Sequence, residues 1–420
     1  MTNFLHKLRR KTSPTWMRIV LFVSVMGPGI ITANVDNDAG GITTYSQAGA
    51  NFGYGVLWIF IPMTVALIMI QEMSNRMGVV TGKGLSDLIR ETFGVKFTFY
   101  LMLALMVTNF GNIVAEFAGI AAAGELFDIP RWLTVPIAAF TVWVLVLKLD
   151  YNKIEKVFLV ATLFYIAYII TGFRVHADPL EVGKALVIPQ FTPDKAYLLM
   201  LIGVIGTTIA PWMQFYQQAS VVEKGIPLKH YKYSRIDTVV GGIAVSVVAI
   251  FIVIVCAETL YPQGIGVESA DQAAQALRPL AGQFSSILFG VGLLNASLFA
   301  ASILPISTSY TICEAMGWES GLDNKYSEAK HFYILYTVLI IAGALFVLIP
   351  GLPLILVMFL SQVVNGIMLP FILVPMLIMV NRKHIMGEYV NGRIYNFVCW
   401  AMVAGLSALS FVYIMMMILE

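Results

Sequence analysis

The feature that most constrains this chain is a series of long apolar stretches. A helix needs roughly 20 apolar residues to cross about 30 Å of hydrocarbon. Eleven stretches of that kind follow one another, at 17–50, 54–76, 97–124, 131–148, 154–174, 196–221, 236–261, 285–313, 331–350, 352–381 and 393–419. With 59% hydrophobic and 12% charged residues, the composition is far from that of soluble domains. The sequence therefore predicts an all-α integral membrane protein in which residues 1–420 form a single membrane domain.

The distribution of positive charge tests this count and predicts an orientation. If the tail 1–16 is cytoplasmic, 21 of the 26 Lys and Arg residues fall on cytoplasmic segments. The external segments keep Arg131, Arg174, Lys184, Lys195 and Arg278. Because cytoplasmic loops of membrane proteins are enriched in Lys and Arg, this split favours an odd number of spans. We expect a multi-pass protein of the plasma or inner membrane, with a cytoplasmic amino terminus and an external carboxyl terminus.

Several function classes are excluded by what the chain lacks. A formal charge of +2 with few charges leaves no basic domain for nucleic acid. Cys256, Cys313 and Cys399 show no C-x-x-C or Cys/His spacing, which argues against a disulfide framework or thiolate metal site. The spans also lack the histidine clusters that an intramembrane hydrolase would need, so we expect no enzyme. No cofactor and no obligate protein partner is indicated, and the lipid bilayer is the expected surrounding.

The first span contains polar residues where an uninterrupted membrane helix should be apolar. Asp36, Asn37 and Asp38 stand in its middle, followed by Gly40 and Gly41. A charge at mid-membrane costs at least about 2.5–3.5 kcal/mol on insertion scales. Acidic side chains beside paired glycines predict an unwound segment, whose carbonyl groups need a cavity, water or a cation. The alternative is that these residues end a shorter helix at the membrane surface.

The sixth span shows a second interruption at the same predicted depth. Gly206, Thr207, Thr208 and Pro211 occur together, and Pro211 cannot donate a helical hydrogen bond. Two interrupted spans in corresponding positions are typical of inverted repeats that hold a substrate between the breaks. We therefore predict two inverted five-helix repeats, at 17–174 and 196–381, and an additional eleventh helix at 393–419.

Longer stretches of the chain resemble a known family, the natural resistance-associated macrophage protein (NRAMP) divalent-metal transporters. The matching stretches are QEMSNRMGVVTGKGLSDLIRETFG after the second span, AEFAG around Glu116 in the third, and residues 361–391 at the tenth. The resemblance covers nearly the whole chain and implies the leucine-transporter-type fold with broken helices 1 and 6. It also implies alternating access, in which spans one, two, six and seven rock against spans three, four, eight and nine.

Departures from the family pattern fall on its metal-binding motifs. The family's D-P-G-N falls on residues 38–41, so the aspartate is kept as Asp38 and the asparagine is replaced by Gly41. The family's A-T-V-M-P-H falls on residues 207–212, which puts Ala210 in place of the methionine and Trp212 in place of a histidine. A later histidine falls on Gln217. These departures are similar to those of the NRAMP-related magnesium transporter branch.

The donors that are left are oxygen atoms, which suit hard cations. A thioether favours softer transition metals, whereas Mg²⁺ prefers oxygen ligands and keeps several waters. We therefore expect Mg²⁺ as the transported substrate, with Mn²⁺ also accepted. The candidate metal-site positions are Asp38, Asp36, Asn37, Thr207, Thr208, Glu116 and Gln362, together with Gly41 and Ala210, where family ligands are lost. Two alternatives stay open: Asp36 instead of Asp38 as the primary ligand, and a weak site.

Ionisable groups for a proton relay are scarce in the spans. The five histidines, His6, His176, His230, His331 and His384, lie in tails, loops or span ends. Proton relays usually employ chains of Asp, Glu or His, so we expect uptake driven by the membrane potential without obligatory proton transport. The alternatives are a proton-coupled Mn²⁺ or Fe²⁺ transporter, a sodium-coupled transporter of organic solutes on the same fold, and a membrane enzyme or receptor.

Overall fold

The protein is described by a computed structural model that covers residues 29, 32, 35–148, 162–192, 194–321 and 325–418. Within these residues the regular secondary structure is helical and contains no strand. The α-helices in chain order are α1 (Ala39–Phe52), α2 (Phe60–Thr81), α3 (Leu85–Phe93), α4 (Val95–Glu125), α5 (Arg131–Lys148), α6 (Ile166–Arg174), α7 (Pro179–Val187), α8 (Lys195–Thr208), α9 (Pro211–Glu223), α10 (Tyr231–Thr259), α11 (Ala270–Gln275), α12 (Arg278–Ala281), α13 (Ser285–Met316), α14 (Lys330–Val347), α15 (Leu354–Val380), α16 (Lys383–Met386) and α17 (Arg393–Ile418).

The described residues contain eight helical stretches that are long and apolar enough to cross a membrane. These are Ala39–Thr81, Val95–Glu125, Lys195–Glu223, Leu228–Gln263, Arg278–Met316, Lys330–Val347, Leu354–Val380 and Arg393–Tyr413. The first stretch contains both α1 and α2, because the 3-10 turn Gly53–Ile59 joins them. A shorter apolar helix covers Arg131–Val146. The prediction of an all-α, multi-pass membrane protein is confirmed.

Three predicted spans lie partly outside the described residues, the span at 393–419 by its last residue alone. Of the span at 17–50, the structure describes residues 29, 32 and 35–50, and of the span at 154–174 it describes residues 162–174. The second predicted span, at 54–76, was placed too early, since α2 begins at Phe60 after the 3-10 turn and continues to Thr81. The division into inverted repeats at 17–174 and 196–381 stays a prediction.

The first helix break lies at Asn37 and Asp38. Residues 35 and 36 are helical, Asn37 and Asp38 leave the helix, and α1 then starts at Ala39. Asp38 has extended backbone angles and caps α1, because its Oδ1 accepts a hydrogen bond of 2.7 Å from the Gly41 amide. The predicted interruption of the first span is thus found at Asn37 and Asp38, and the paired glycines Gly40 and Gly41 lie in the first turn of α1.

The second helix break lies at Ile209 and Ala210. Helix α8 ends at Thr208, and α9 begins at Pro211. Ile209 has φ −129° and ψ 66°, and Ala210 is extended with φ −72° and ψ 142°. Proline suits the first position of α9, because its missing N–H would have no helical acceptor there. The interruption predicted in the sixth span is confirmed.

Helix α15 packs closely against both breaks. A Cβ atom on Gly206 would lie 2.0 Å from the carbonyl oxygen of Gln362, and one on Gly40 would lie 1.9 Å from Gln362 Nε2. Helix α4 approaches the first break as closely, since a Cβ on Gly119 would lie 2.4 Å from Ala39 Cβ. Because Gly40, Gly119 and Gly206 have no side chains, the four helices α1, α4, α8 and α15 can meet around the two interruptions.

We expect Gly206→Ala to lower the thermal stability of the protein. The atoms that its new methyl would meet are backbone atoms of α15, which cannot rotate away. Overpacking of this kind typically costs about 1–3 kcal/mol. The measurement is thermal unfolding of the purified protein, with Gly183→Ala in α7 as the control because no atom lies within 4 Å of that position. Equal melting temperatures for the two variants would contradict this packing.

Candidate metal-ion site

The residues around the two breaks carry an unusual group of buried oxygen atoms. Both carboxylate oxygens of Asp36, the side-chain oxygen of Asn37, Thr207 Oγ1 and Glu116 Oε1 are buried without a hydrogen-bond partner in the described part of the chain. None of these four side chains is more than 2% exposed. Burial of an unpartnered polar group is costly, and burial of an uncompensated charge is more so. These oxygens are suited to a cation that enters between the breaks.

Gly41 marks the point where three of the site's oxygens converge. The position that its Cβ would occupy lies 2.5 Å from the Asp36 carbonyl oxygen, 3.2 Å from Thr207 Oγ1 and 3.5 Å from Asp38 Oδ1. Any side chain at this position would displace the Asp36 carbonyl. Gly41 therefore supplies no side-chain ligand, and its absent side chain makes room for backbone and hydroxyl oxygens of both breaks.

Glu116 brings a further carboxylate from α4 to the start of α1. Its Oε2 lies 3.4 Å from the backbone N–H of Ala39, from which it accepts a hydrogen bond, and the side chain is fully buried. The amino-terminal end of a helix carries partial positive charge, which favours an acidic side chain at this place. The structure thus brings Glu116 beside the break that also carries Asp38.

Two other predicted ligands already have hydrogen-bond partners. Thr208 Oγ1 lies 2.9 Å from the Val204 carbonyl oxygen and 2.6 Å from the Tyr45 hydroxyl. Gln362 Nε2 donates to Ser361 Oγ at 3.0 Å, while Gln362 Oε1 accepts from Asn365 Nδ2 at 2.9 Å. Thr208 and Gln362 therefore differ from Asp36, Asn37, Thr207 and Glu116, whose oxygens include some without a hydrogen-bond partner in the described ranges.

Two tyrosines at the site were not predicted from the sequence. Tyr45 on α1 bonds to Thr208, and the hydroxyl of Tyr165 donates to the carbonyl oxygen of Asn37 within the first break. Tyr165 stands in an apolar stretch that gives no sign of this contact. Tyr45 follows Gly41 by four residues, so helical spacing places it on the side of α1 that faces the site.

A family model described as "Natural resistance-associated macrophage protein-like" matches residues 29–416. The chain belongs to this family. The resemblance predicted from its motifs is confirmed, and with it the assignment as a membrane transporter and not an enzyme. NRAMP transporters move metal ions as substrates and are not known to need a cofactor.

Individual NRAMP relatives match over most of their length. The chain is 27% identical to a divalent metal cation transporter MntH of Bacillus subtilis over 398 residues, which are 92% of this chain and 90% of the relative. It is 26% identical to the MntH of Deinococcus radiodurans over 96% of this chain and 92% of the relative. A crystal structure of the Eremococcus coleocola manganese transporter superposes with a TM-score of 0.80 at 21% identity, over 96% of this chain and 87% of that one. This structural likeness shows the shared fold and is consistent with the predicted leucine-transporter-type architecture.

The three positions at which this NRAMP protein departs from the family's methionine and histidines, Ala210, Trp212 and Gln217, are buried. Ala210 caps α9 with no side-chain hydrogen bond, and its carbonyl accepts from the Met213 amide at 3.1 Å. Trp212 is 1% exposed and packs against Tyr216, with 6.1 Å between the ring centroids. Gln217 accepts a hydrogen bond of 3.0 Å from the Thr32 hydroxyl. Neither a thioether nor an imidazole stands at these three positions.

The donor set consists of oxygens of mixed origin. Across the described ranges, no group of three or more His, Cys, Asp or Glu side chains is arranged to hold a metal ion. The site instead combines carboxylates with an amide oxygen, a hydroxyl and backbone carbonyls. Oxygen donors of this kind suit hard divalent cations, which retain part of their water shell.

We expect Asp38→Asn to reduce metal binding while the protein stays folded. Asparagine is as good a helix cap as aspartate, so α1 is preserved, but the negative charge is lost. The affinity for Mn²⁺, measured by calorimetric titration of the purified protein, should fall at least about tenfold, as it does when even groups that only orient metal ligands are removed.

The matched control for this variant is Asp178→Asn. Asp178 caps α7 in the same way, since Oδ1 accepts from the Leu180 amide at 2.9 Å, and it lies in a different part of the chain. Wild-type Mn²⁺ affinity in Asp38→Asn, together with its loss in Asp36→Asn, would assign the primary ligand to Asp36 instead.

Proposed function

We propose that this NRAMP protein imports divalent metal cations across the cell membrane by alternating access, with Mg²⁺ as its preferred substrate and Mn²⁺ also accepted. The amino terminus is cytoplasmic and the carboxyl terminus external in this proposal. The observation that carries it is the group of buried oxygens between the two helix breaks that have no hydrogen-bond partner within the described ranges. Asp38 and Asp36 supply the charge, and Asn37, Thr207 and Glu116 supply further oxygens.

The preference for Mg²⁺ rests on the chemistry of the donors. Soft thioether ligands select softer transition metals, while carboxylate, carbonyl and water suit Mg²⁺ and Mn²⁺. Ala210 offers a methyl group where the family pattern has a methionine. Mg²⁺ gives up water reluctantly and is usually bound through one or two carboxylates and several waters. A site with few charged ligands and many neutral oxygens is suited to such a cation.

The proposal of uncoupled transport rests on the neutral groups between α4, α13 and α15. Asn112 and Asn365 exchange amide hydrogen bonds of 2.9 and 3.0 Å, and Asn109 Nδ2 donates to Thr308 Oγ1 at 3.1 Å. Amides and hydroxyls do not titrate at physiological pH, whereas proton relays use Asp, Glu and His. Entry of a divalent cation at −100 mV gains roughly 4.6 kcal/mol, so the membrane potential suffices as a driving force.

A second candidate function is proton-coupled Mn²⁺ transport. Its metal, but not its proton coupling, is favoured by the names of relatives: the proteins from Bacillus subtilis and Deinococcus radiodurans are divalent metal cation transporters MntH, and the superposed structure is a manganese transporter. The two candidates differ in cargo and in proton movement, so a single assay separates them.

We expect proteoliposomes that contain the purified protein to take up Mg²⁺ when the inside is negative. A Mg²⁺-sensitive dye and a pH-sensitive dye are enclosed together, and Mg²⁺ should enter without acidification of the lumen. Empty liposomes and Asp38→Asn proteoliposomes are the controls. Uptake of Mn²⁺ but not Mg²⁺, accompanied by protons, would contradict the proposal and support the second candidate.

We expect Ala210→Met to shift selectivity toward soft cations. The substitution restores a thioether at the second break, and thioethers bind soft metals better than hard ones. Competition by Cd²⁺ against Mg²⁺ uptake should strengthen by about tenfold, which corresponds to ~1.4 kcal/mol. Ala210→Leu adds similar bulk without sulfur and is the control. Equal Cd²⁺ competition in the two variants would show that the side chain at position 210 does not reach the transported ion.

A further inference from the structure

A hydrogen bond between Tyr45 and Thr208 connects the two broken helices directly. Tyr45 lies on α1 and is fully buried, and its hydroxyl is 2.6 Å from the Oγ1 of Thr208, the last residue of α8. The Thr208 hydroxyl has one proton, which it donates to the Val204 carbonyl oxygen at 2.9 Å. The Tyr45 hydroxyl is therefore the donor to Thr208.

Both ends of this hydrogen bond adjoin the candidate metal-ion site. Tyr45 follows Gly41 by one helical turn, so the two residues share a face of α1. Thr208 adjoins Thr207, whose unpartnered Oγ1 lies 3.2 Å from the Cβ position of Gly41. The bond therefore joins α1 to α8 beside the place where the Asp38–Gly41 turn faces Thr207.

Neither partner of the hydrogen bond has much freedom to move. The Tyr45 ring packs against Phe60, with 5.8 Å between the ring centroids. Thr208 is held through its bond to Val204, and it is fully buried. The link is thus rigid enough to fix a spacing, as a positioning residue must be.

We propose that Tyr45, acting through Thr208, is a positioning residue that sets the size of cation the site accepts. Mg²⁺ demands near-ideal octahedral geometry at 2.0–2.1 Å, whereas Ca²⁺ accepts flexible geometry at 2.3–2.6 Å. A fixed spacing between the two breaks favours the smaller ion, and a loosened spacing favours the larger one. This inference rests on the proposed function, because it concerns the selectivity of the same site.

The test compares the concentration dependence of Mg²⁺ and Ca²⁺ uptake in wild type, Tyr45→Phe, Thr208→Val and the double variant. Tyr45→Phe keeps the ring that packs on Phe60, and Thr208→Val keeps the branched shape of the side chain. Each single variant should lower the preference for Mg²⁺ over Ca²⁺, expressed as the ratio of KM values, by about three- to tenfold, the range expected for one hydrogen bond. The maximal rate should stay within about twofold, and the double variant should equal the single ones because both remove the same bond.

The control is Tyr336→Phe, which removes another buried tyrosine hydroxyl. Tyr336 on α14 donates to the Val142 carbonyl oxygen at 3.2 Å, a bond that involves neither break. The Tyr336→Phe variant should keep the wild-type preference for Mg²⁺ over Ca²⁺. The positioning role is overturned if the wild type transports Mg²⁺ and both Tyr45→Phe and Thr208→Val keep the wild-type preference for Mg²⁺ over Ca²⁺. It is also overturned if these variants lose only protein yield or maximal rate. If wild type transports no divalent cation, the proposed function fails first and this inference fails with it.

Discussion

A helix that is interrupted inside a bilayer exposes backbone groups that lipid cannot satisfy, at a cost of several kcal/mol for each group. The first break of this protein meets the requirement with side chains from three parts of the chain. Asp38 accepts from the Gly41 amide, Glu116 accepts from the Ala39 amide, and Tyr165 donates to the Asn37 carbonyl. The carboxylates that stabilise the break are therefore the same carboxylates that can attract a cation.

Because the same carboxyl groups serve both purposes, the site concentrates acidic side chains in a buried place. Asp36, Asp38 and Glu116 are each at most 5% exposed. None of them takes part in the ion pairs found within the described ranges, which join Arg76 to Glu72, Lys83 to Glu91, Arg90 to Asp87 and Arg131 to Glu125. A buried charge without an opposite charge is costly. A divalent cation that entered between the breaks would relieve that cost.

The sequence was sufficient to predict where the membrane helices break. Asp36–Gly41 and Gly206–Pro211 contain residue types that are rarely placed in mid-membrane without a function, and both regions are interrupted in the structure. Most predicted spans lie within a few residues of the helices in the described ranges, because apolar length is a strong signal, whereas the second span was placed too early. The family was predicted from longer motifs, since residue types alone do not distinguish one transporter from another on the same fold.

The choice among neighbouring oxygens could not be predicted from the sequence. Thr207 and Thr208 are identical residue types, and the rotation of α8 decides that Thr208 bonds to Tyr45 while Thr207 Oγ1 has no hydrogen-bond partner among the described residues. The hydrogen bond from Asn365 to Gln362 depends on the side-chain rotamers of both residues, which the sequence does not give. The approach of the Asp36 carbonyl to Gly41 is a property of backbone packing. We interpreted Gly41 from the sequence as a lost ligand, whereas the structure shows that its small size creates the space between the oxygens.

In the proposed function, a divalent cation binds to oxygens between the two helix breaks. The most direct test is anomalous diffraction from crystals of the protein grown with Mn²⁺, which locates the ion without assumptions about its ligands. We expect one strong anomalous peak between Asp38 and Thr207, from an ion that these residues coordinate directly or through a single water. A peak that lies away from both breaks, with Asp36, Asp38 and Thr207 all outside its coordination and water shells, would contradict it.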